Sequence, residues 1–210
     1  MSPVLHVQKD NSTYLLFGSG GETVPGVLYV ISIPDLYEYV MAENMPSKTP
    51  LFSGRYENSL NTKYAESREI KGLFSLYTSH TKGVMVPPVL VDVNKDGTND
   101  ILVSSFDGVV VLFDGLTHEQ MWKFEFECYE TYTSPAPGYF NDDDILDFMF
   151  IQNFGTFDRY LNSTALVVSG LDGSILWRLD GPRMEMASPL TIQTNTINRD
   201  MFFFRVQGIV

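Results

Sequence analysis

The chain has 210 residues, 44% of them hydrophobic, and a formal net charge of −12 with a sequence pI near 4.5. That length and apolar share supply a substantial core for one large or two small domains. The acidity excludes nucleic acid and anionic membrane surfaces as partners, because both require an excess of Lys and Arg.

A single cysteine, Cys128, excludes an internal disulfide and a Cys-based zinc cluster. The opening MSPVLHVQKD lacks the basic segment and apolar core of a signal peptide. Nowhere do about 18 apolar residues run consecutively, so no segment here reads as a membrane span. Two N-x-S/T triplets, at Asn11 and Asn162, read as glycan acceptors and favour the secretory pathway. On that reading any targeting segment lies upstream of residue 1, and the sequence is a fragment or an excised domain.

In chain order, residues 14–33 read as strand, loop, strand. Gly18, Gly20 and Gly21 begin like a dinucleotide fingerprint, but Thr23 replaces the third glycine and Pro25 follows, so a glycine-rich turn is expected. IPDLYEYVMAE supplies either a helical turn or a fourth strand, and its aromatic alternation favours the strand. Residues 41–70 lose apolar periodicity and read as a long surface insertion. KGLFSLYTSHTKG restores strand character.

PPVLVDVNKDGTNDILV, from Pro87 to Val103, carries the strongest signal. Asp92, Asn94, Asp96 and Asp100 stand at positions 1, 3, 5 and 9 of an acidic loop, Gly97 at position 6, and Thr98 offers a main-chain carbonyl at position 7. Alternating short oxygen-bearing side chains around a glycine turn suit Ca²⁺, which takes about 6–8 oxygens. An EF-hand would place a Glu at position 12 and helices on both flanks, whereas Val103 and β-branched runs stand here, so the loop joins two strands. The plain alternative is a metal-free hairpin turn.

Laying Pro88 on Pro135 aligns Asn94 with Asn141, Asp96 with Asp143 and Asp100 with Asp147, a repeat of 47 residues. Each copy continues through an Asp-Gly turn to a strand carrying Trp122 or Trp177. In the second loop Tyr139 replaces the first carboxylate and Asp144 the glycine, so the loop reads either as a weaker cation site on Asn141, Asp143 and Asp147, with Asp144 as an extra donor, or as an empty turn. A third copy starts at Pro189 with Gln193, Asn195 and Ile197 in the ligand positions, and its site reads as lost. About 45–55 residues holding four short strands is the period of a β-propeller blade. The expectation is an all-β, partial propeller of three to four blade equivalents of four-stranded antiparallel sheets. Its units run over about 12–86, 87–133, 134–187 and 188–210, with the tryptophans filling gaps between blades.

PVLVDVNKDGTNDILV resembles the FG-GAP repeat of integrin α-subunit propellers, whose loops bind Ca²⁺. FDGLTHEQMWKF, with Asp114, Thr117 and Trp122, resembles the tryptophan-docking repeat of quinoprotein-type propellers. These stretches, with YLLFGSGGETVPGVLYVISIPDLYE, SPAPGYFNDDDILDF and SGLDGSILWRLDGPRMEMASPL, are similar over most of residues 12–205 to the animal "family with sequence similarity 234". The resemblance implies a cytoplasmic tail, one transmembrane helix and a luminal or extracellular propeller, only part of which is present.

Catalytic constellations are thin. His6, His80 and His118 read as solvated residues without partner spacing, and no nucleophile elbow or Walker loop occurs. Cys128 stands among acidic neighbours, a poor setting for a nucleophile. The expected function is a non-enzymatic Ca²⁺-binding interaction module for a protein or glycan partner, at the cell surface or on a secretory-pathway membrane. Membrane attachment then runs through a segment absent from this sequence. The alternatives are a quinoprotein-like oxidoreductase and a structural spacer ectodomain.

Overall fold

The computed structural model describes residues 2–43, 70–126, 128–155, 159–181, 187–194 and 199–205. Short apolar runs rich in β-branched and aromatic residues make strands, and the central ones are buried on both faces. They assemble into four antiparallel sheets. The first holds β1 (Val4–Val7), β2 (Thr13–Gly18), β3 (Val27–Ser32) and β4 (Phe74–Thr78) in that order. The second holds β5 (Val89–Val91), β6 (Asp100–Ser104), β7 (Val110–Phe113) and β8 (Gln120–Phe124). β9 (Tyr129–Glu130) pairs with the far end of β11 in the third sheet, whose order is β10 (Ala136–Gly138), β11 (Asp147–Phe154), β12 (Asn162–Val168) and β13 (Ile175–Gly181). The fourth is the pair β14 (Leu190–Ile192) and β15 (Met201–Phe203).

Neighbouring sheets bury one another's faces. Leu16, Leu28 and Val30 of the first meet Ile101, Val103, Val111 and Phe113 of the second. The opposite face of the second, with Leu102, Leu112 and Trp122, meets Phe148, Phe150 and Leu166 of the third. Each such side chain, taken fully out of water, contributes about 1.5–3 kcal/mol. Toward the fourth sheet the contacts are aromatic, Phe140 with Phe202 at 6.1 Å and Trp177 with Phe204 at 5.8 Å between centroids. This serial stacking of antiparallel meanders is a β-propeller, and the described sheets form an open series rather than a closed ring.

Two expectations are corrected. Ile33–Glu43 is the helix α1, not a strand. Ser32 caps it: its Oγ accepts from the Asp35 amide at 3.1 Å and donates to Asp35 Oδ2 at 2.5 Å. That reciprocal cap outweighs the aromatic alternation, and the fourth strand of the sheet is β4. The second correction concerns β1, which brings residues ahead of position 12 into the first sheet, so His6 is fully buried rather than solvated. Most of the expected insertion at 41–70, and Asn195 and Ile197 of the third copy, lie outside the described residues.

The glycine cluster is a turn, as its sequence reads. Gly20 has φ +89°, and a Cβ there would meet the backbones of Gly26 and Gly83 at 2.7 Å. The close approach lets the Gly83 amide donate to the Gly21 carbonyl at 2.7 Å.

Candidate functional site

The β5–β6 loop is organised by its own amides. The Asp96 amide donates to Asp92 Oδ1 at 3.1 Å and to Asn94 Oδ1 at 3.0 Å, while Gly97 donates to Asp92 Oδ2 at 2.9 Å and Thr98 to Asp96 Oδ1 at 2.7 Å. Such side-chain-to-backbone bonds are what short Asp and Asn residues favour in turns. Gly97 supplies the left-handed turn with φ +90°, and Lys95 joins it at φ +60°. The structure therefore brings Asp92, Asn94 and Asp96 onto one tight turn, with buried Thr98 behind them.

Asp100 has a different place. It is fully buried, its Oδ2 accepting from the Val93 and Asn94 amides at 2.9 and 3.3 Å and its Oδ1 from Gly115 at 2.9 Å. It staples the start of the loop to the β7–β8 turn. Asp147 repeats this, Oδ2 accepting from Phe140 and Asn141 at 3.1 and 3.4 Å and Oδ1 from Gly170 at 3.2 Å. Burial pushes both carboxyls above their ordinary range, against the downward pull of those amides. Asp200, absent from the sequence reading, is the third staple: it accepts from the Thr194 amide at 3.3 Å and from Tyr139 of the preceding sheet at 3.0 Å. An Asp at the start of the second strand of the second and third sheets, and just ahead of that strand in the fourth, was the available signal.

Among the described residues, no three His, Cys, Asp or Glu side chains form a group that could hold a metal ion. A cation at the first loop would therefore depend also on the Asn94 amide oxygen and the Thr98 carbonyl. An all-oxygen set of this kind suits a hard cation in its chemistry. In the second loop, Asn141 Nδ2 donates to Asp143 Oδ2 at 2.9 Å, and Asp144 adopts φ +60° where the first loop has its glycine. A cavity of about 220 Å³ lies there, lined by Tyr139, Asn141, Asp142 and Asp144.

Cationic side chains link these loops from sheet to sheet. Lys9 Nζ reaches the Asp96 carbonyl at 3.2 Å from the β1–β2 turn. Lys95 Nζ pairs with Asp144 Oδ2 at 2.5 Å. Arg199 makes a two-pronged contact with Asp142 at 3.0 and 2.7 Å. His6 Nε2 meets the Asn99 carbonyl at 2.6 Å, and Gln8 Nε2 donates to the Gly115 carbonyl at 2.7 Å.

The remaining sequence candidates are dispersed. Asn11 sits exposed in the β1–β2 turn at φ +67°. Asn162 opens β12 and is half-buried, and Thr164 of its triplet is fully buried with its hydroxyl on Asp180 at 2.8 Å. His118 packs beside His6 with centroids 6.1 Å apart and edge-on to Tyr14 at 5.1 Å. Trp122 is buried between the second and third sheets, donating Nε1–H to the Gly170 carbonyl at 2.8 Å, which is a packing role. Cys128 is exposed at φ +63°.

Stacked antiparallel sheets with acidic loops linked from unit to unit define a β-propeller domain. The model of the FAM234A/B beta-propeller family matches residues 1–207, and the chain belongs to that family. It is 23% identical to human Protein FAM234B and 24% identical to the mouse protein, in each case over 209 residues. The alignments cover all of this chain and 30% of each relative, so the chain spans about a third of their length.

Proposed function

We propose that this chain is a non-enzymatic interaction module, a propeller segment in which Ca²⁺ stiffens the β5–β6 loop and the linked loops meet a protein or glycan partner. The carrying observation is the convergence of Asp92 Oδ1 and Asn94 Oδ1 on the Asp96 amide, which sets the loop oxygens around one turn. Asp92, Asn94, Asp96 and the Thr98 carbonyl would hold the ion, each oxygen keeping lone-pair capacity beyond its amide contact. Asp100 would hold the loop in shape, and Asn141, Asp143 and Asp147 would make the weaker second site. The ion would offset part of the −12 charge. Bound calcium thereby selects one loop conformation for the partner.

The same reading places the domain on the luminal or extracellular side of a membrane, with the anchor in sequence outside this chain and glycans on Asn11 and Asn162. The exposed turn at Asn11 favours its modification. Among the described residues no helix is long and apolar enough to cross a membrane. The resemblance to integrin-type FG-GAP repeats supports the calcium assignment through the spacing of the first loop.

The test is thermal unfolding with Ca²⁺ and with chelator. Saturation at about 100 Kd should add about 2.7 kcal/mol of stability. Asp96→Ala should abolish most of that increment while changing the chelated protein little. Equal losses in the two buffers overturn the calcium assignment.

A further inference from the structure

At the end of the sheets away from the acidic loops, a cleft of about 710 Å³ opens where the first three sheets meet. Tyr77 and Thr81 border it from the first sheet, Asp107 and Glu125 from the second, and Tyr129 and Phe154 from the third. Tyr129 packs between Phe126 and Phe154 in tilted contacts, at 4.5 and 5.3 Å between centroids, so one wall is a run of aromatic rings.

Most charges at the cleft are matched. Lys82 pairs with Glu22 and Glu130, both at 2.6 Å, and Lys123 pairs with Glu125 at 2.6 Å. Asp107 is the exception. Its Oδ2 accepts from the hydroxyls of Ser79 at 2.6 Å and Thr81 at 3.1 Å, neither of which carries charge. Its Oδ1 is shielded from solvent and accepts no hydrogen bond among the described residues. Among the lining residues the carboxylates of Asp107, Glu125 and Glu130 outnumber the ammonium groups of Lys82 and Lys123. Arg178, paired with Asp180, lies 5.3 Å from the centroid of Phe126, so the rings of Tyr129 and Phe154 are the ones offered to a further cation. Burial holds the Tyr77 hydroxyl protonated well above its ordinary range, and the negative charges of Asp107 and Glu125 add to the effect.

We infer that this cleft receives a basic side chain, Arg or Lys, from a partner polypeptide. An aromatic wall beside an uncompensated carboxylate is the chemistry that attracts a cation, through the ring quadrupole and direct Coulomb attraction. An acidic or phosphorylated ligand meets the carboxylate excess and is repelled. A neutral sugar could stack on the rings but would leave the charge of Asp107 uncompensated. The inference rests on the interaction-module reading and names the chemistry of one of its contacts.

The experiment follows backbone amide NMR signals of Thr81, Val109 and Phe126 during titration with a blocked Ser-Arg-Ser-Arg peptide, alongside Ser-Gln-Ser-Gln, inorganic phosphate and a neutral disaccharide. Saturable shifts at these three positions are expected with the Arg peptide alone. Asp107→Asn should weaken the binding by roughly fivefold or more. Glu125→Gln, which leaves the Ser79 and Thr81 contacts intact, should weaken it in the same direction if Asp107→Asn does not fold. Asp172→Asn, a charge removed from the exposed β12–β13 turn, should leave the affinity nearly unchanged. Equal weakening by Asp172→Asn shows unspecific attraction to an acidic protein and overturns the inference. So does binding of the Gln peptide, phosphate or sugar at the same signals, or no saturable binding at all. Because the calcium test reads a different loop at the opposite end, either reading can fail without the other.

Discussion

Lys95 Nζ lies 2.5 Å from Asp144 Oδ2, tying the β5–β6 loop of one sheet to the β10–β11 loop of the next. Both side chains are largely solvent-exposed, so the pair shapes the loops more than it stabilises the fold. The hydrogen bond that Lys95 donates to Asp144 is the main reason its ammonium holds its proton above its ordinary range. Asp144→Asn should speed hydrogen exchange at the Asp96 and Gly97 amides while hardly moving Tm at physiological salt. A large fall in Tm would contradict a loop-shaping role.

The carboxylate staples should be much more costly to remove. Asp100→Asn keeps one acceptor oxygen and replaces the other by an amide nitrogen, leaving either the Gly115 amide or the Val93 and Asn94 amides without an acceptor. One unmatched buried donor costs about 1–3 kcal/mol. Urea unfolding should show that loss, and Asp147→Asn a similar one. Asp143→Asn, whose partners are exposed, should cost little.

Trp122 and Gly173 should prove coupled. Gly173 has φ +73°, and an added Cβ would lie 2.8 Å from the Trp122 ring. Gly173→Ala therefore meets both backbone strain and a clash. Trp122→Phe removes the bond to the Gly170 carbonyl and some buried area, at about 1–3 kcal/mol. In the double variant the smaller ring makes room, so the two losses should add to more than the combined loss. Strict additivity in a double-mutant cycle would show that the contact is unimportant.

The stability that His118 contributes should fall on mild acidification, opposite in sign to the contribution of the raised Asp100 and Asp147 carboxyls. Burial, followed by the neighbouring His6, holds the His118 imidazole below its ordinary 6.5. The unfolded chain then takes up the proton first, so the contribution is complete above about pH 6.5 and is lost as pH falls below it. Urea midpoints at pH 7.5 and 5.5 should differ, and His118→Gln should narrow the difference. An unchanged slope in the variant would remove His118 from the account.

The Lys82 cluster responds to both extremes of pH. Burial opposes ionisation of Glu22, but the bonds from Lys82 and Tyr132 outweigh it and lower its carboxyl. Its contribution is present above about pH 4.5 and lost in more acid solution. Burial likewise disfavours the Lys82 ammonium, yet Glu130 and Glu22 raise it overall, so that contribution disappears only above about pH 10.5. Lys82→Met leaves Glu130, whose side chain is 10% exposed, beside Glu22 with no cation between them. The expected loss is about 2–3 kcal/mol, toward the lower side for a broken buried pair because Lys82 and Glu22 retain some solvent. Tm at pH 7 checks it.

What the sequence by itself determined was local and periodic. Apolar runs rich in β-branched residues, Asp-Gly turns and the repeat from Pro88 to Pro135 encode strands and hairpins through neighbours a few positions apart, and with them the stacked four-stranded sheets. The grouping of Asp92, Asn94 and Asp96 on one turn was legible for the same reason. Only the tertiary structure decided which groups are buried and what they meet. His6 looked solvated until β1 joined the first sheet and set it against Asn99, 93 residues away. Lys9 reaches Asp96 across 87 residues. Asp200 was missed because part of its staple reaches back 61 residues, to the Tyr139 amide, beyond any local spacing. The cleft around Asp107 arises only where three sheets meet. Burial and charge compensation are properties of that packing, which joins residues far apart in the chain.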